Sequence, residues 1–319
     1  MLISKTPLRI SFIGGGTDNL VNQKFEGNVI STTIDKFIYI GLNKKFDKNF
    51  RFSYSRTENV SEVKKIKHEM LRETFKYFKI DQSLEIISVA DVPSYGSGLG
   101  SSSSFLVGLI NCINIKYNLK LSKKKIAEAA CKIEIEILKK PVGMQDQYIA
   151  SFGGLNWINF KSKKKIKVKK LILTQKKFKQ LNDNLHLVYT NKLRKSETVL
   201  NKVRDNKNII ALKKLSDLAL DFKHELLNGD LNSLGKIMHE SWIYKKELSK
   251  NTSNHYIDEI YNFGLNSGSL GGKILGAGGG GFMLFYVQNK FKKNFIKKMN
   301  KFRFIDYKFT NNGSETFKI

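Results

Sequence analysis

The first stretch whose residue types could do chemistry is a glycine- and serine-rich run at residues 96–104. It contains three glycines and four consecutive serines, and it follows a β-prone run at 84–89 that Pro93 ends. Apolar residues then recur at helical spacing from Phe105 to Ile113. This pattern predicts a strand, a glycine turn and a helix N-terminus, whose backbone N–H groups and dipole bind anions. We expect a cradle for nucleotide phosphates; the tight flanks disfavour the alternative, a flexible linker.

Carboxylates form the second candidate group. Glu134 and Glu136 flank the apolar face of a helix predicted over 122–138, and periodicity does not choose between them. Asp146 follows just beyond the turn that begins at Pro141. One carboxylate for a metal and a second for a base is a common pairing in phosphoryl transfer. Simple solvation of each carboxylate at the surface is the competing interpretation.

A second glycine run could approach a ligand closely. Gly14, Gly15 and Gly16 end a strand predicted over 2–13, and Thr17 and Asp18 follow them. The carboxylate of Asp18 could accept hydrogen bonds from sugar hydroxyls. A tight turn with Asp18 as a local cap fits the same residues equally well.

A third glycine run, at 276–281, matches the letters GxGxxG. An apolar, aromatic strand follows it where a dinucleotide site needs a helix, so the dinucleotide interpretation fails. No P-loop and none of the protein-kinase signatures occurs in the chain. The run favours a loop that lies against substrate or against the phosphate cradle; the alternative is a plain hairpin turn.

A mixed set of strands and helices must position these loops. Hydrophobic patterns predict further strands over 29–42, 51–54, 155–160 and 185–190, and a strand–turn–strand over 273–287. Helices are predicted over 60–78 and 122–138, the second with Ser122 as its N-cap, and a mainly helical region over 196–266. The basic run up to Lys170 is predicted as a hairpin tip or exposed loop, and a last helix and strand over 290–309. The mixture indicates an α+β fold.

Composition and net charge limit the classes of binding partner that we expect. The 319 residues are 41% hydrophobic, enough for one large or two ordinary globular domains. Fifty-six lysines and arginines against 28 acidic residues give a net charge of +28, but the lysines lie in short scattered clusters without a nucleic-acid-binding module. We expect a solvated basic surface that favours anionic substrates, with polyanion binding as the alternative.

Neither a membrane span nor a secretory segment is visible in the sequence, which favours a cytoplasmic protein with no membrane partner. The two cysteines, Cys112 and Cys131, are predicted to be reduced thiols in or near the core. The histidines lack the spacing of a metal site.

At this point the chain resembles the GHMP kinase superfamily, which includes galactokinases, homoserine kinases and mevalonate kinases. Its three motifs are similar to residues 6–18, to Pro93 with residues 98–103, and to residues 276–281. Within the superfamily, the bacterial D-glycero-α-D-manno-heptose 7-phosphate kinases are the most similar group, through stretches such as RFSYSRTENV, CKIEIEILKKPVGMQDQY and HESWIYKKEL. The resemblance covers almost the whole chain.

The resemblance implies a two-lobed GHMP kinase fold, with the active site in the cleft between the lobes. The N-terminal lobe, resembling domain 2 of ribosomal protein S5, would span 1–180, and a ferredoxin-like C-terminal lobe 181–319. ATP and Mg²⁺ would be the cofactors. The residues implied for the ATP phosphates are Gly96, Ser97, Gly98, Leu99, Gly100, Ser101, Ser102 and Ser103.

The resemblance also implies roles for individual residues, according to their positions in the three motifs. Asp146 corresponds to the catalytic aspartate, Arg9 to the arginine near the transferred phosphoryl group, and Glu134 with Ser102 to the Mg²⁺ ligands. The resemblance therefore favours Glu134 over Glu136. The residues implied for substrate binding are Gly15, Gly16, Thr17, Asp18, Arg194, Gly278 and Gly279. The sequence departs from galactokinases at Gly15–Gly16, where they carry Glu-His, which argues against plain galactose as the substrate.

The implied reaction is phosphorylation of the anomeric hydroxyl of a heptose 7-phosphate, giving the 1,7-bisphosphate. Arg194, Lys195 and Lys245 are candidates for a basic pocket around the distal phosphate. One alternative is a GHMP kinase that acts on another sugar, such as a fucokinase-like enzyme for an unphosphorylated hexose or heptose. Another is a polyanion-binding protein with a vestigial kinase fold. The expected partner is a small sugar phosphate, not nucleic acid or membrane; the oligomeric state is open.

Overall fold

The computed structural model describes residues 1–19, 25–93, 96–162, 165–192 and 206–319, with the backbone alone for 206–208. The prediction for Arg194 and Lys195 falls outside these residues. The described part of the chain forms two sheets with helices packed on them, and it confirms the predicted α+β class.

The larger sheet has nine strands and is organised around its second strand. Its main path runs β13-β1-β2-β5-β3-β4; β6 and β12 also pair with β2, and β7 pairs with β6. Most pairs are antiparallel, whereas β3 and β5 are parallel. The strands are β1 (Leu2–Ile13), β2 (Gly27–Lys44), β3 (Phe50–Ser53), β4 (Thr57–Val60), β5 (Leu84–Ala90), β6 (Asn156–Ser162), β7 (Lys165–Lys170), β12 (Phe309–Thr310) and β13 (Glu315–Lys318).

The helices of this part of the chain are α1 (Glu69–Tyr77), α2 (Ser101–Lys116), α3 (Lys123–Cys131), α4 (Gln145–Phe152) and α5 (Gln175–Asn184). Helices α2 and α4 pack on β1 and β2 of the larger sheet, and α3 packs on α2 and α4. Helix α2 is buried nearly all round. Leu109 and Ile113 belong to the core on the sheet side, whereas Leu106 and Ile110 pack with Ala130 of α3 and other residues of a second cluster. The glycine loop that precedes α2 is therefore anchored to a helix with little room to shift.

The smaller sheet has the strand order β11-β8-β10-β9, and each neighbouring pair is antiparallel. Numbered within this unit the order is 4-1-3-2, which confirms the predicted ferredoxin-like arrangement. Its strands are β8 (Leu185–Tyr189), β9 (Ser269–Ile274), β10 (Phe282–Val287) and β11 (Arg303–Ile305). Its helices are α6 (Asn206–Asn228), α7 (Leu231–Glu247), α8 (His255–Asn266) and α9 (Lys292–Lys298). Beyond β11 the chain returns to the larger sheet as β12 and β13.

Three predicted elements differ from the structure. The helix predicted over 60–78 begins only at Glu69, because the carboxylate of Glu58 accepts hydrogen bonds from the backbone N–H groups of Lys67 and His68 and holds that segment extended. The basic run before Lys170 is not a loop but β7, paired with β6. The helix predicted over 122–138 begins at its Ser122 cap but changes to a π-helix after Cys131.

The expectation for the two cysteines is confirmed. Both cysteines are buried free thiols, and burial raises the pKa of each. Among the helices of the described ranges, none has the length and apolar character needed to span a membrane. The domain boundary near residue 180 stays a prediction.

Candidate active site

The loop between β5 and α2 bends sharply at three glycines. Gly96, Gly98 and Gly100 all have positive φ angles, between +68° and +80°, which glycine adopts without strain. Helix α2 then begins with no side chain capping its N-terminus, so its first N–H groups face the cleft. The loop has the conformation that an anion-binding cradle requires.

The third glycine run supports this loop from behind. A Cβ atom on Gly98 would lie 2.5 Å from the carbonyl oxygen of Leu275, and the backbone N–H of Phe282 donates to the carbonyl oxygen of Ser97 at 3.1 Å. The predicted close approach of the two loops is therefore present. Gly279 donates to the carbonyl oxygen of Thr252 at 2.8 Å.

Glu134 lies at the base of the loop, on the π-helix. The wider turn, closed by the bond from Leu138 N–H to the Ile133 carbonyl oxygen, brings the Glu134 side chain inward, where it is 1% exposed. Its carboxylate accepts hydrogen bonds from Ser102 Oγ and Ser103 Oγ, each at 2.8 Å, and from the Gln147 amide at 2.7 Å. The backbone thus presents an acidic group to the serines of the glycine- and serine-rich loop at 96–104, which we call the phosphate loop.

Burial is the main cause that raises the pKa of Glu134 above its ordinary value, and the charge of Asp146 acts in the same direction. The three hydrogen bonds oppose that rise. Glu136, the residue that periodicity could not exclude, is exposed.

Arg9 connects the catalytic candidate Asp146 to the phosphate loop. Its Nε donates to Asp146 Oδ1 at 2.7 Å and its Nη2 to Oδ2 at 2.5 Å, a bidentate ion pair. Its Nη1 donates to the carbonyl oxygen of Gly98, and its backbone N–H to that of Leu99. Arg9 is buried, whereas the Asp146 side chain keeps 21% exposure toward the cleft. An acceptor hydroxyl could therefore reach the carboxylate.

Asp18 binds backbone N–H groups at one side of the cleft, and its predicted contact with a sugar stays a prediction. Its Oδ2 accepts from the N–H of Gln145, at the start of α4, and its Oδ1 from the N–H of Gly16, both at 3.0 Å. A Cβ on Gly143 would overlap this carboxylate, so glycine is required there. Burial raises the pKa of Asp18, the hydrogen bond from Gln145 opposes the rise, and the charge of Asp146 adds to it. Asp18 caps a helix and also lines the cleft.

A cavity of about 310 Å³ brings most of the predicted residues together. Its lining contains charged side chains from both sides. The larger-sheet side contributes Arg9, Asp18, Glu134 and Asp146, and α7 on the opposite side contributes Lys245. The remaining predicted residues in its lining are Gly15, Gly16, Gly96, Ser97, Gly98, Gly100, Ser101 and Ser102. Lys245 is 6% exposed, and its Nζ donates to the carbonyl oxygen of Gly276 at 2.5 Å.

Other predicted residues support the cavity from outside its lining. Thr17 is fully buried: its hydroxyl donates to the Gly14 carbonyl oxygen at 2.7 Å and accepts from the Asn28 N–H at 3.1 Å. Leu99, Ser103, Gly278 and Gly279 are likewise not part of the cavity lining. Their predicted binding roles stay predictions.

The sequence analysis gave no role to several residues around the site, and two of them act directly on its charged groups. Gln147, on α4, holds Glu134 in place. Lys273, on β9, is 1% exposed; burial, and then the positive charge of Arg9, lower its pKa to about 7, while Asp18 opposes that effect. The only sequence signal was a single lysine inside an otherwise apolar and glycine-rich strand.

The oxygen donors suit a hard divalent cation. Within the described ranges there is no group of three or more His, Cys, Asp or Glu side chains that could hold a metal. Mg²⁺ commonly keeps its waters and binds through one or two protein oxygens plus substrate phosphates, so a single carboxylate beside a hydroxyl fits it. Glu134 and Ser102 provide that pair.

Comparisons with known proteins agree with this geometry. The family model "GHMP kinases N terminal domain" matches residues 62–154, and "GHMP kinases C terminal" matches residues 222–306. The D-glycero-alpha-D-manno-heptose 7-phosphate kinase of Campylobacter jejuni is 33% identical over 99% of this chain and 98% of its own.

Solved structures share the fold. A D-glycero-D-manno-heptose 1-phosphate kinase from Bacteroides thetaiotaomicron, 23% identical, has a TM-score of 0.84 and covers 100% of this chain and 99% of its own. The galactokinase of Lactococcus lactis complexed with galactose, 18% identical, has a TM-score of 0.76 and covers 98% and 95%. At these identities the likeness shows the fold alone.

Proposed function

Since the chain belongs to the GHMP kinase family, and is thus an ATP-dependent phosphotransferase with a hydroxyl acceptor, we propose that its acceptor is the anomeric hydroxyl of D-glycero-D-manno-heptose 7-phosphate. The product would be the 1,7-bisphosphate. The observation that carries the proposal is the bidentate Arg9–Asp146 pair, which lies against the phosphate loop in one cavity with Glu134. The similarity to the Campylobacter jejuni enzyme along almost the whole chain supports the choice of sugar.

The phosphate loop and the N-terminus of α2 bind the ATP phosphates in this proposal. Backbone N–H groups and the helix dipole offset the negative charge of the phosphates without any side-chain rearrangement. Ser102 and Glu134 would hold Mg²⁺, which would neutralise charge on the phosphate oxygens when bound. Ser103 and Gln147 fix the Glu134 carboxylate so that one face stays directed at the loop.

Asp146 orients the acceptor hydroxyl and takes its proton as the bond to phosphorus forms. Arg9 holds the carboxylate through two hydrogen bonds, so its position is fixed before the acceptor binds. The same guanidinium lies next to the loop and offsets charge that develops on the transferred group. In a loose transition state, this positioning and charge neutralisation supply most of the rate.

The test is ADP release by the purified protein with Mg²⁺ and ATP. The acceptors compared are the heptose 7-phosphate, the heptose 1-phosphate, the unphosphorylated heptose, mannose, fucose and galactose. We expect turnover with the 7-phosphate at a kcat/KM at least about tenfold above any other acceptor, since a charged group contributes about 1.5–3 kcal/mol to binding. Turnover confined to fucose or another unphosphorylated sugar would replace the heptose phosphate by the fucokinase-like alternative.

A further inference from the structure

Three polar side chains converge on Gly15 at the edge of the cavity. A Cβ atom placed on Gly15 would lie 3.6 Å from Gln145 Nε2 and 3.8 Å from both Lys245 Nζ and Ser11 Oγ. These are ordinary van der Waals distances, and Gly15 does not have a positive φ, so neither crowding nor backbone strain requires glycine here. The missing side chain instead leaves space between the three polar groups.

Two of these groups offer hydrogen-bond donors to this space. Ser11 is 3% exposed, and its buried hydroxyl makes no hydrogen bond to any described residue. The Gln145 atom nearest to Gly15 is the amide nitrogen Nε2, a donor; Gln145 Oε1 is also unpaired among the described residues, but as an acceptor it does not favour an anion. Unsatisfied buried polar atoms are costly and rare, and a bound ligand is one explanation for them. Their position beside Lys245 indicates which kind of ligand fits.

The ammonium of Lys245 lies at this edge of the cavity and is held by a hydrogen bond on its own side of the cleft. The bond from Lys245 Nζ to the Gly276 carbonyl oxygen fixes the ammonium beside Gly15. Each of the other charged side chains in the cavity lining also has a partner: Arg9 pairs with Asp146, Lys140 with Glu69, Asp18 with backbone N–H groups, and Glu134 with two serines and Gln147. An ammonium with a hydroxyl and an amide around it suits a phosphate monoester, which offers several acceptor oxygens.

We propose that the pocket formed by Gly15, Ser11, Gln145 and Lys245 binds the phosphate that the acceptor sugar already carries. This inference rests on the proposed function and adds the residues that select a phosphorylated acceptor. Gln145 borders the pocket while the adjacent Asp146 meets the reacting hydroxyl, so one helix N-terminus aligns both ends of the substrate. Glycine at position 15 keeps the pocket open, and a carboxylate there would occupy it and pair with Lys245.

The first test compares Lys245→Met with Lys246→Met. Lys246 is the next residue on α7, with its side chain 37% exposed and its ammonium 3.3 Å from Asp258. The quantity measured is the ratio of kcat/KM for heptose 7-phosphate to that for the unphosphorylated heptose. We expect Lys245→Met to lower this ratio about 10- to 100-fold through a raised KM for the phosphosugar, and Lys246→Met to leave it unchanged. Equal losses on both acceptors would overturn the proposal and make Lys245 a support of the Gly276 loop.

The second test fills the pocket instead of removing the cation. Gly15→Glu should lower the same ratio at least about tenfold, since its carboxylate repels the phosphate and pairs with Lys245. Gly15→Ala is the size control and should lower it less, because the added methyl makes only ordinary contacts. An unaltered ratio in Gly15→Glu would contradict the pocket.

A binding measurement separates this inference from the proposed function. Inorganic phosphate is titrated calorimetrically into the protein saturated with Mg²⁺ and adenylyl imidodiphosphate, which occupies the nucleotide site. We expect the affinity for phosphate to fall at least about tenfold in Lys245→Met relative to both wild type and Lys246→Met. Equal affinity in all three proteins, or no binding to any, overturns the pocket. A wild type that turns over only an unphosphorylated sugar refutes the proposed substrate, and this titration still decides the pocket.

Discussion

Replacement of Lys273 by methionine tests the electrostatics beneath the cleft. Burial and the charge of Arg9 lower the pKa of this lysine from 10.5 to about 7 in the folded protein. In the unfolded chain the ammonium regains its ordinary pKa, so between about pH 7 and pH 10.5 the unfolded state binds one more proton than the folded state. The free energy of unfolding therefore rises with pH in this window, by up to about 1.4 kcal/mol per pH unit from this one group.

The magnitude follows from the two pKa values. Below pH 7 the Lys273 amine is protonated in both the folded and the unfolded state, so the folded protein bears the full penalty of burying an ammonium. Above pH 10.5 the amine is neutral in both states, and this penalty no longer applies. Between pH 7.5 and pH 9.5 the linkage relation gives a gain of about 2–3 kcal/mol for wild type that Lys273→Met lacks. Urea unfolding followed by tryptophan fluorescence measures it, because Trp242 is buried.

Lys293→Met is the matched control, since Lys293 is exposed on α9. It removes the same charge and should show the same pH dependence as wild type. A stability difference between wild type and Lys273→Met that changes by less than about 0.5 kcal/mol between the two pH values would refute the reasoning. The Lys273 ammonium would then stay protonated in the folded protein.

Three further predictions concern the reaction itself. Asp146→Asn should lower kcat by about 10²- to 10⁴-fold with ATP binding intact, because the acceptor hydroxyl loses its proton acceptor; loss of ATP binding by calorimetry would make the aspartate structural. Glu134→Gln should raise the Mg²⁺ concentration for half-maximal rate at least about tenfold, and an unchanged Mg²⁺ titration would exclude it as a ligand. Gly98→Ala should lower both the melting temperature and ATP affinity, because its Cβ would lie 2.5 Å from the Leu275 carbonyl oxygen. Gly268→Ala is the control, because Gly268 also has a positive φ but a Cβ there would make only loose contacts. This variant separates backbone strain from crowding and should keep its ATP affinity.

The glycine loops were predictable because their conformation depends on local residue type. A strand ended by Pro93, a glycine turn and an apolar helix can adopt few other conformations, and the structure has all three elements. The helix predicted over 60–78 failed for the opposite reason. Residues 60–68 instead contain the end of a strand, a 3₁₀ turn and a stretch whose Lys67 and His68 N–H groups donate to the Glu58 carboxylate, and such contacts leave no periodic signal.

The choice between Glu134 and Glu136 shows the limit within the site. Two residues apart on an ideal helix, they flank the apolar face symmetrically, and only the π-helix directs Glu134 inward. Hydrophobic spacing at 3.6 residues per turn does not encode that local change of pitch. Lys273 was missed because a lysine in a strand is ordinarily exposed, whereas the packing of β9 against α7, with Arg9 and Asp18 near enough to affect the pKa of Lys273, is a tertiary feature that the strand's own sequence does not encode.

Neutral donors around Glu134 explain how a buried carboxylate can attract a cation. Burial favours the protonated form of the side chain, which would bind no metal. Ser102, Ser103 and Gln147 donate three hydrogen bonds that favour the ionised form, yet none of them carries a charge. A lysine or arginine in their place would also keep the carboxylate ionised, but its charge would cancel the attraction for Mg²⁺. Asp146, by contrast, is paired with Arg9, which agrees with the role proposed for it, binding a hydroxyl and not a metal.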